Sequence, residues 1–133
     1  MNFFRGAIRR TGGRLSFVED NPGGSSVTLS LDDGLAGLAS GHIDRPIVLG
    51  IRPEAIRDSL AVAPGAAGRT ADVKVEVSEP MGAETLLYLD TGATAFVARV
   101  GPTDRFDAGQ RIQVTFDLAQ AHLFDPKTEL ALA

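Results

Sequence analysis

The feature that most constrains this chain is a period-two alternation of apolar and polar residues. Val73, Val75 and Val77 fall on one side of such a run, with Asp72, Lys74, Glu76 and Ser78 on the other. Ile112, Val114, Phe116 and Leu118 alternate with Arg111, Gln113, Thr115 and Asp117. Val27, Leu29 and Leu31 alternate with Thr28 and Ser30, and Phe96, Ala98 and Val100 with Val97 and Arg99. Successive side chains of a strand point to opposite faces, so each run predicts a strand buried on one side. No long stretch shows the 3.6-residue period of an amphipathic helix.

Turn residues punctuate these runs. Thr11-Gly12-Gly13 predicts a hairpin between strands near 5–10 and 14–18. Asn21-Pro22-Gly23-Gly24, Asp90-Thr91-Gly92 and Asp107-Ala108-Gly109 mark further turns. Many short strands with short connections predict an all-β fold, a closed or nearly closed barrel, because closure removes exposed strand edges. Fifteen Gly and seven Pro fit that reading. The 133 residues suit one domain, and 44% hydrophobic with 23% charged residues argues against wholesale disorder. Two segments depart from the strand pattern. DDGLAGLASG, 32–41, reads as a loop with one helical turn, and AVAPGAAG, 61–68, as a connector between two modules.

Several chemistries lack their residues. No GxxxxGK[ST] loop is present and neither Lys74 nor Lys127 follows a glycine, so the chain has no phosphate-cradling P-loop. No GxSxG elbow occurs. His42 and His122 lack the spacing of paired metal ligands, and without cysteine there is neither a disulfide framework nor a thiolate site. A net charge of −4, one tyrosine and no tryptophan argue against a nucleic-acid binder, which needs a basic face and stacking aromatics. Arg5, Arg9, Arg10 and Arg14 read as the solvated face of the first hairpin. No apolar run approaches the ~20 residues of a membrane-spanning helix, and the start MNFFRGAIRR has no apolar core of a signal peptide.

Three stretches carry more information. In VLGIRPEAI, 48–56, Pro53 holds Arg52 extended and suits the first position of a helical turn. Glu54 then lies in the first turn, where the positive end of the helix dipole favours an anion. The expectation is a strand ending at Arg52, a turn through Ile56, and Arg52 and Glu54 bracing the corner between two halves of the barrel. In VSEPMGAETLLYL, 77–89, a strand ends at Pro80, the chain turns at Met81-Gly82, and a second strand begins at Glu84 or Thr85. In HLFDP, 122–126, a last short strand is closed by an Asp-Pro turn, with Phe124 in the core or at an interface and His122 beside it.

In this order, GIRPEAI, VSEPMGAETLLYLD, FVARV and AHLFDP resemble the C-terminal regulatory region of ATP-binding subunits of bacterial sugar ABC importers, the maltose and glycerol-3-phosphate uptake type. The resemblance covers essentially the whole chain. It implies an OB-fold-like (TOBE/MOP-type) β-barrel with one or two short helical turns, built from an N-terminal β module of about 1–56 and a TOBE-like module of about 57–133. It further implies that the ATPase domain, with its ATP and Mg, lies outside this chain, which is itself no enzyme and holds no cofactor or metal. The implied role is regulation and homodimerisation of the subunit on the cytoplasmic side of the bacterial inner membrane, peripheral through the transporter complex. Its partners would be a second copy, its own ATPase domain, the membrane-spanning permease subunits and a regulatory protein. The candidate structural and interface residues are Arg52, Pro53, Glu54, Met81, Gly82, Glu84, Thr85, His122 and Phe124, with the loop from Met81 to Thr85 as the subunit contact. The alternative is a small-oxyanion or small-molecule sensor of TOBE/MOP type. Gly23-Gly24-Ser25-Ser26 offers backbone N–H groups and hydroxyls for an anion, and also the ordinary chemistry of a hairpin turn.

Overall fold

The computed structural model describes residues 1–22, 27–58, 69–101 and 106–132. Among the described residues, ten strands form two five-stranded antiparallel sheets, accompanied by one α-helix. The strands of the first sheet are β1 (Asn2–Thr11), β2 (Arg14–Glu19), β3 (Thr28–Ser30) and β4 (Pro46–Ile51), joined by β10 (His122–Phe124) in the order β10-β4-β1-β2-β3. The second contains β5 (Ile56–Asp58), β6 (Thr70–Pro80), β7 (Thr85–Asp90), β8 (Ala95–Val100) and β9 (Arg111–Phe116), in the order β5-β9-β6-β7-β8. The expected all-β, OB-like barrel is the fold found. The second sheet curls until β5 and the turn at Pro53–Ala55 pack against β8. That closure is made by packing rather than by a ladder, since β5 and β8 remain the two ends of the strand order.

The first hairpin turns on Gly12 and Gly13, at φ +58° and +83°. Both central residues of a type I′ turn need positive φ, which glycine adopts without strain. β1 begins three residues earlier than expected because Asn2, Phe3 and Phe4 pair with Ile51, Gly50 and Leu49 of β4. Segment 32–41 is also more regular than its sequence suggests. Helix α1 runs Asp33–Ala39, its N-terminus capped by Asp32, whose side chain accepts from the Leu35 N–H at 2.8 Å. Leu35 and Ala39 face the core. The connector expected at 61–68 lies outside the described residues.

One core runs through both sheets. Phe4 of β1 packs edge-on against Phe96 of β8 and Phe116 of β9, with centroids 5.0 Å and 5.9 Å away. All three rings are buried. Such pairs contribute about 1 kcal/mol beyond the apolar area they remove from water. Polar clamps complete the seam. The buried Glu19 at the end of β2 accepts, through Oε2, from the hydroxyls of Thr91 at 2.7 Å and Thr94 at 2.6 Å in the β7–β8 turn. Its Oε1 is buried without a hydrogen-bond partner among the described residues. The Asn2 carboxamide donates to the Val97 carbonyl at 2.7 Å and accepts from the Val97 N–H at 3.0 Å. Arg69 Nε donates to the Ser30 carbonyl at 3.1 Å.

The expected shared face of Val73, Val75 and Val77 is corrected by the structure. Val73 and Val75 are buried, but Val77 is 51% exposed. The register explains it: Val75 pairs with Leu89 and Val77 with Tyr88, so one residue of β6, Glu76, has no counterpart in β7. This is a β-bulge, and one extra residue reverses the facing of every residue beyond it.

Candidate interaction site

The Arg52-Pro53-Glu54 corner forms from local geometry. Arg52 is extended at φ −77° and ψ 150°, and Pro53–Ala55 make a single 3₁₀ turn closed by the Ala55 N–H donating to the Arg52 carbonyl at 3.0 Å. The helical turn stops one residue sooner than expected, because Ile56 is already extended and opens β5. Ala55 and Ile56 plug the core. Arg52 and Glu54 both face solvent, and neither takes part in an ion pair among the described residues.

From this corner Glu54 reaches a groove of about 310 Å³, shared with Arg57, Asp58, Glu84, Arg99, Val100 and Gly101. The groove lies where the edges of β5 and β8 approach. It joins Glu54, in the turn before β5, and Glu84, in the turn before β7, both singled out in the sequence. Glu84 pairs with Arg99 at 3.6 Å, with both side chains more than two-fifths exposed. An ion pair of that kind contributes little to stability, at most about 1 kcal/mol. Asp58 is buried at the groove floor. With two guanidinium groups and three carboxylates at its wall, the groove suits a partner carrying both charges more than a simple anion. No group of three or more potential metal-ligating side chains converges among the described residues.

The remaining candidates lie apart from one another. Met81 is exposed at the tip of the β6–β7 hairpin, where the Met81 N–H donates to the Glu84 carbonyl at 2.7 Å. Gly82 has φ +88°, as a type II′ hairpin turn requires at its first central position. Thr85 is buried and pairs with Val100 and Pro80. His122 and Phe124 occupy the outer face of the first sheet, with Leu123 between them in the core. Phe124 is half-buried, crosses the face of Gly50, and meets the Phe3 ring edge-on at 5.9 Å. A Cβ on Gly50 would lie 2.7 Å from the Phe124 ring, so glycine is what lets the ring lie flat there.

Phe3, Phe124, Val48, Arg5, Asp125, Pro126 and Glu129 line a second groove of about 420 Å³. The Asp125 carboxylate lies below the ordinary aspartate range because the N–H groups of Lys127 and Thr128 donate to it. The adjacent Phe3 and Phe4 carry no alternation that would tell, in the sequence, which of the two lies in the groove and which in the core. Gly23-Gly24-Ser25-Ser26 lies outside the described residues.

Residues 49–124 match the TOBE domain (TOBE_2), and residues 1–56 match the MalK OB fold domain. MsmK of Streptococcus mutans, a multiple sugar-binding transport ATP-binding protein, is 38% identical over 108 residues, 80% of this chain and 29% of that protein. MsmX of Bacillus subtilis, an oligosaccharides import ATP-binding protein, is 29% identical across 99% of this chain and 34% of its own length. SmoE of Agrobacterium fabrum, a sulfoquinovosyl glycerol transport ATP-binding protein, is 32% identical across 99% of this chain and 33% of its own length. The chain thus spans about a third of the relatives it matches. Among solved structures, the cytoplasmic molybdate-binding protein ModG with molybdate bound superposes with a TM-score of 0.66, covering 94% of this chain and 96% of that one. At 12% identity this likeness shows the fold alone. By its family match over 49–124, with the MalK OB fold match over 1–56 before it, the chain belongs to the TOBE domain family.

Proposed function

We propose that this chain is the regulatory and dimerisation module of the ATP-binding subunit of a bacterial sugar ABC importer. The observation that carries the reading is the near end-to-end match to one third of MsmX and SmoE, both ATP-binding proteins of carbohydrate transport. In this reading ATP and Mg belong to an ATPase domain elsewhere in the subunit, and this module catalyses nothing. The subunit works at the cytoplasmic face of the inner membrane, held there by permease subunits. No helix among the described residues is long and apolar enough to cross a membrane, which fits attachment through partners. A contact between two such modules would keep two ATPase domains at high effective concentration when nucleotide leaves. A barrel with one continuous core is stiff enough to serve as that handle.

The test is a chimera. The matching third of MsmX is replaced by this chain, and uptake is measured in a Bacillus subtilis strain lacking its own MsmX. Growth on the imported oligosaccharide at half the parental rate or better is expected. A stably expressed chimera that supports no uptake would count against the reading. Isothermal calorimetry of the isolated chain with Mg-ATP is expected to show no heat of binding.

A further inference from the structure

The second groove lies on the outer face of the first sheet. By register, His122, Gly50 and Phe3 form one cross-strand row there, and Phe124, Val48 and Arg5 the next. Phe124 lies as a floor over the bare backbone of Gly50, and the Phe3 ring stands at 70° to it as a wall. Phe3 is 55% exposed although its strand is fully paired. The rim of this aromatic corner has unused hydrogen-bonding capacity. Asp125 Oδ1 accepts from the N–H groups of Lys127 at 2.7 Å and Thr128 at 3.2 Å, while Oδ2 accepts from nothing among the described residues. The Arg5 guanidinium and the Glu129 carboxylate make neither a hydrogen bond nor an ion pair among the described residues. His42 and Lys127 also stand near Asp125, and His122 flanks Phe124 with ring centroids 6.3 Å apart. Asp20 neighbours Arg5 on the β2 side, outside the lining of the groove. With the histidines neutral, Arg5 and Lys127 balance Asp125 and Glu129, so the groove selects neither an anion nor a cation.

We propose that this groove binds a neutral sugar, a mono- or disaccharide, stacked on Phe124 against Phe3, with its hydroxyls shared among Arg5, Asp125 and Glu129. A pyranose divides its surface in the same way as the groove. Its C–H groups gather on one face and carry slight positive charge, which meets the negative face of an aromatic ring. Its hydroxyls lie around the edge, where they donate to carboxylates and accept from a guanidinium. A wholly apolar ligand would cover the rim groups without pairing them, at a cost in desolvation. A phosphate or another oxyanion would bring its charge against two carboxylates. The volume of about 420 Å³ falls at the small end of ligand sites, ~300–1,000 Å³. The site goes beyond the dimerisation reading above and does not depend on it. In an importer subunit it would let imported sugar act directly on the regulatory module.

Titration of the isotope-labelled 133-residue chain with glucose, galactose and maltose, followed by amide chemical shifts, tests this. Saturable shifts centred on Phe3, Val48, Gly50, Phe124 and Asp125 are expected with at least one of the three, with a Kd on the order of 1 mM. Sorbitol, an acyclic polyol without a ring face, should bind at least ~10-fold more weakly. Phe3→Ala, at an exposed position, should weaken binding about 10-fold. Asp125→Asn keeps an acceptor for the turn but exchanges the free oxygen for a donor, and should weaken binding about 5-fold. Tyr88→Ala, which removes an exposed aromatic ring from the other sheet, should change it less than ~2-fold. Circular dichroism checks the fold of each variant. The proposal is overturned by the absence of saturable shifts with all three sugars to the limit of their solubility, or by shifts centred outside this groove. It is equally overturned if sorbitol binds as tightly as the sugars, or if folded Phe3→Ala binds as the parent does. None of these outcomes bears on the chimera, so the transport reading is tested separately.

Discussion

The β1–β2 and β6–β7 hairpins are built from the same pattern and end differently. In β1–β2 the pairing runs without a break from Gly6 with Glu19 to Thr11 with Arg14. In β6–β7 it runs from Pro80 with Thr85 to Lys74 with Asp90, but with one residue too many on β6. The first hairpin is locked by its surroundings. A Cβ on Gly6 would collide with the Val18 carbonyl, and its Phe17 ring and Glu19 carboxylate are both buried. The second is regular up to Val75, and beyond the bulge its outward residues Val77 and Tyr88 are exposed. The difference teaches that alternation specifies a strand locally, whereas which face it turns inward depends on an unbroken count of residues.

That contrast can be broken at its strong end. Deleting Val18 should move either Phe17 or Glu19 to the wrong face of β2. Losing the Phe17 contacts alone costs about 3–5 kcal/mol, and taking the Glu19 acceptor from the part-buried Thr91 and Thr94 hydroxyls costs about 1 kcal/mol more. The variant is expected to be largely unfolded at 25 °C by near-ultraviolet circular dichroism. A cooperative melt near that of the parent would show the first hairpin to be far less constrained than its register implies.

The two valines either side of the bulge sharpen the comparison within one strand. Val75→Ala removes fully buried methyl groups and should cost about 2 kcal/mol. Val77→Ala, two residues on, should cost under ~0.5 kcal/mol. Urea denaturation of both variants checks the difference, and equal losses would mean the bulge does not persist in solution. The smallest effect is expected from deleting Glu76 itself. Val75 and Val77 already face consecutive partners, Leu89 and Tyr88, so removing Glu76 regularises the ladder without turning any residue over. A loss of no more than ~1 kcal/mol is expected, from lost bend and twist. Unfolding comparable to the Val18 deletion would refute that account.

What was legible follows the same logic. The strands at 95–100 and 111–116 face as their alternation says, because no insertion interrupts them. The hairpin at Gly12-Gly13 was readable because positive φ at both positions has a residue signature. The bulge was not, since Glu76 is an ordinary strand residue whose only peculiarity is the lack of a partner. Helix α1 is hard to read in the sequence because Gly34 and Gly37 lower its helix propensity and only Leu35 and Ala39 supply a buried face. At the candidate groove, Glu54 and Glu84 were each singled out by their motifs. Their meeting was hidden, because it depends on the sheet curling until β5 reaches β8. The Glu19 clamp spans 72 and 75 residues to its two threonines, a distance over which local pattern says nothing.

The Asn2 carboxamide has a consequence beyond joining two sheets. β8 ends the strand order of its sheet, so the outward N–H and C=O groups of such a strand form a template that any extended chain can extend. At Val97, in the middle of that strand, both groups are already taken by one side-chain amide with the donor and acceptor geometry of a peptide unit. A single asparagine thus occupies the edge at Val97 as a paired strand would there, so an extended chain cannot continue the ladder through that residue without displacing it.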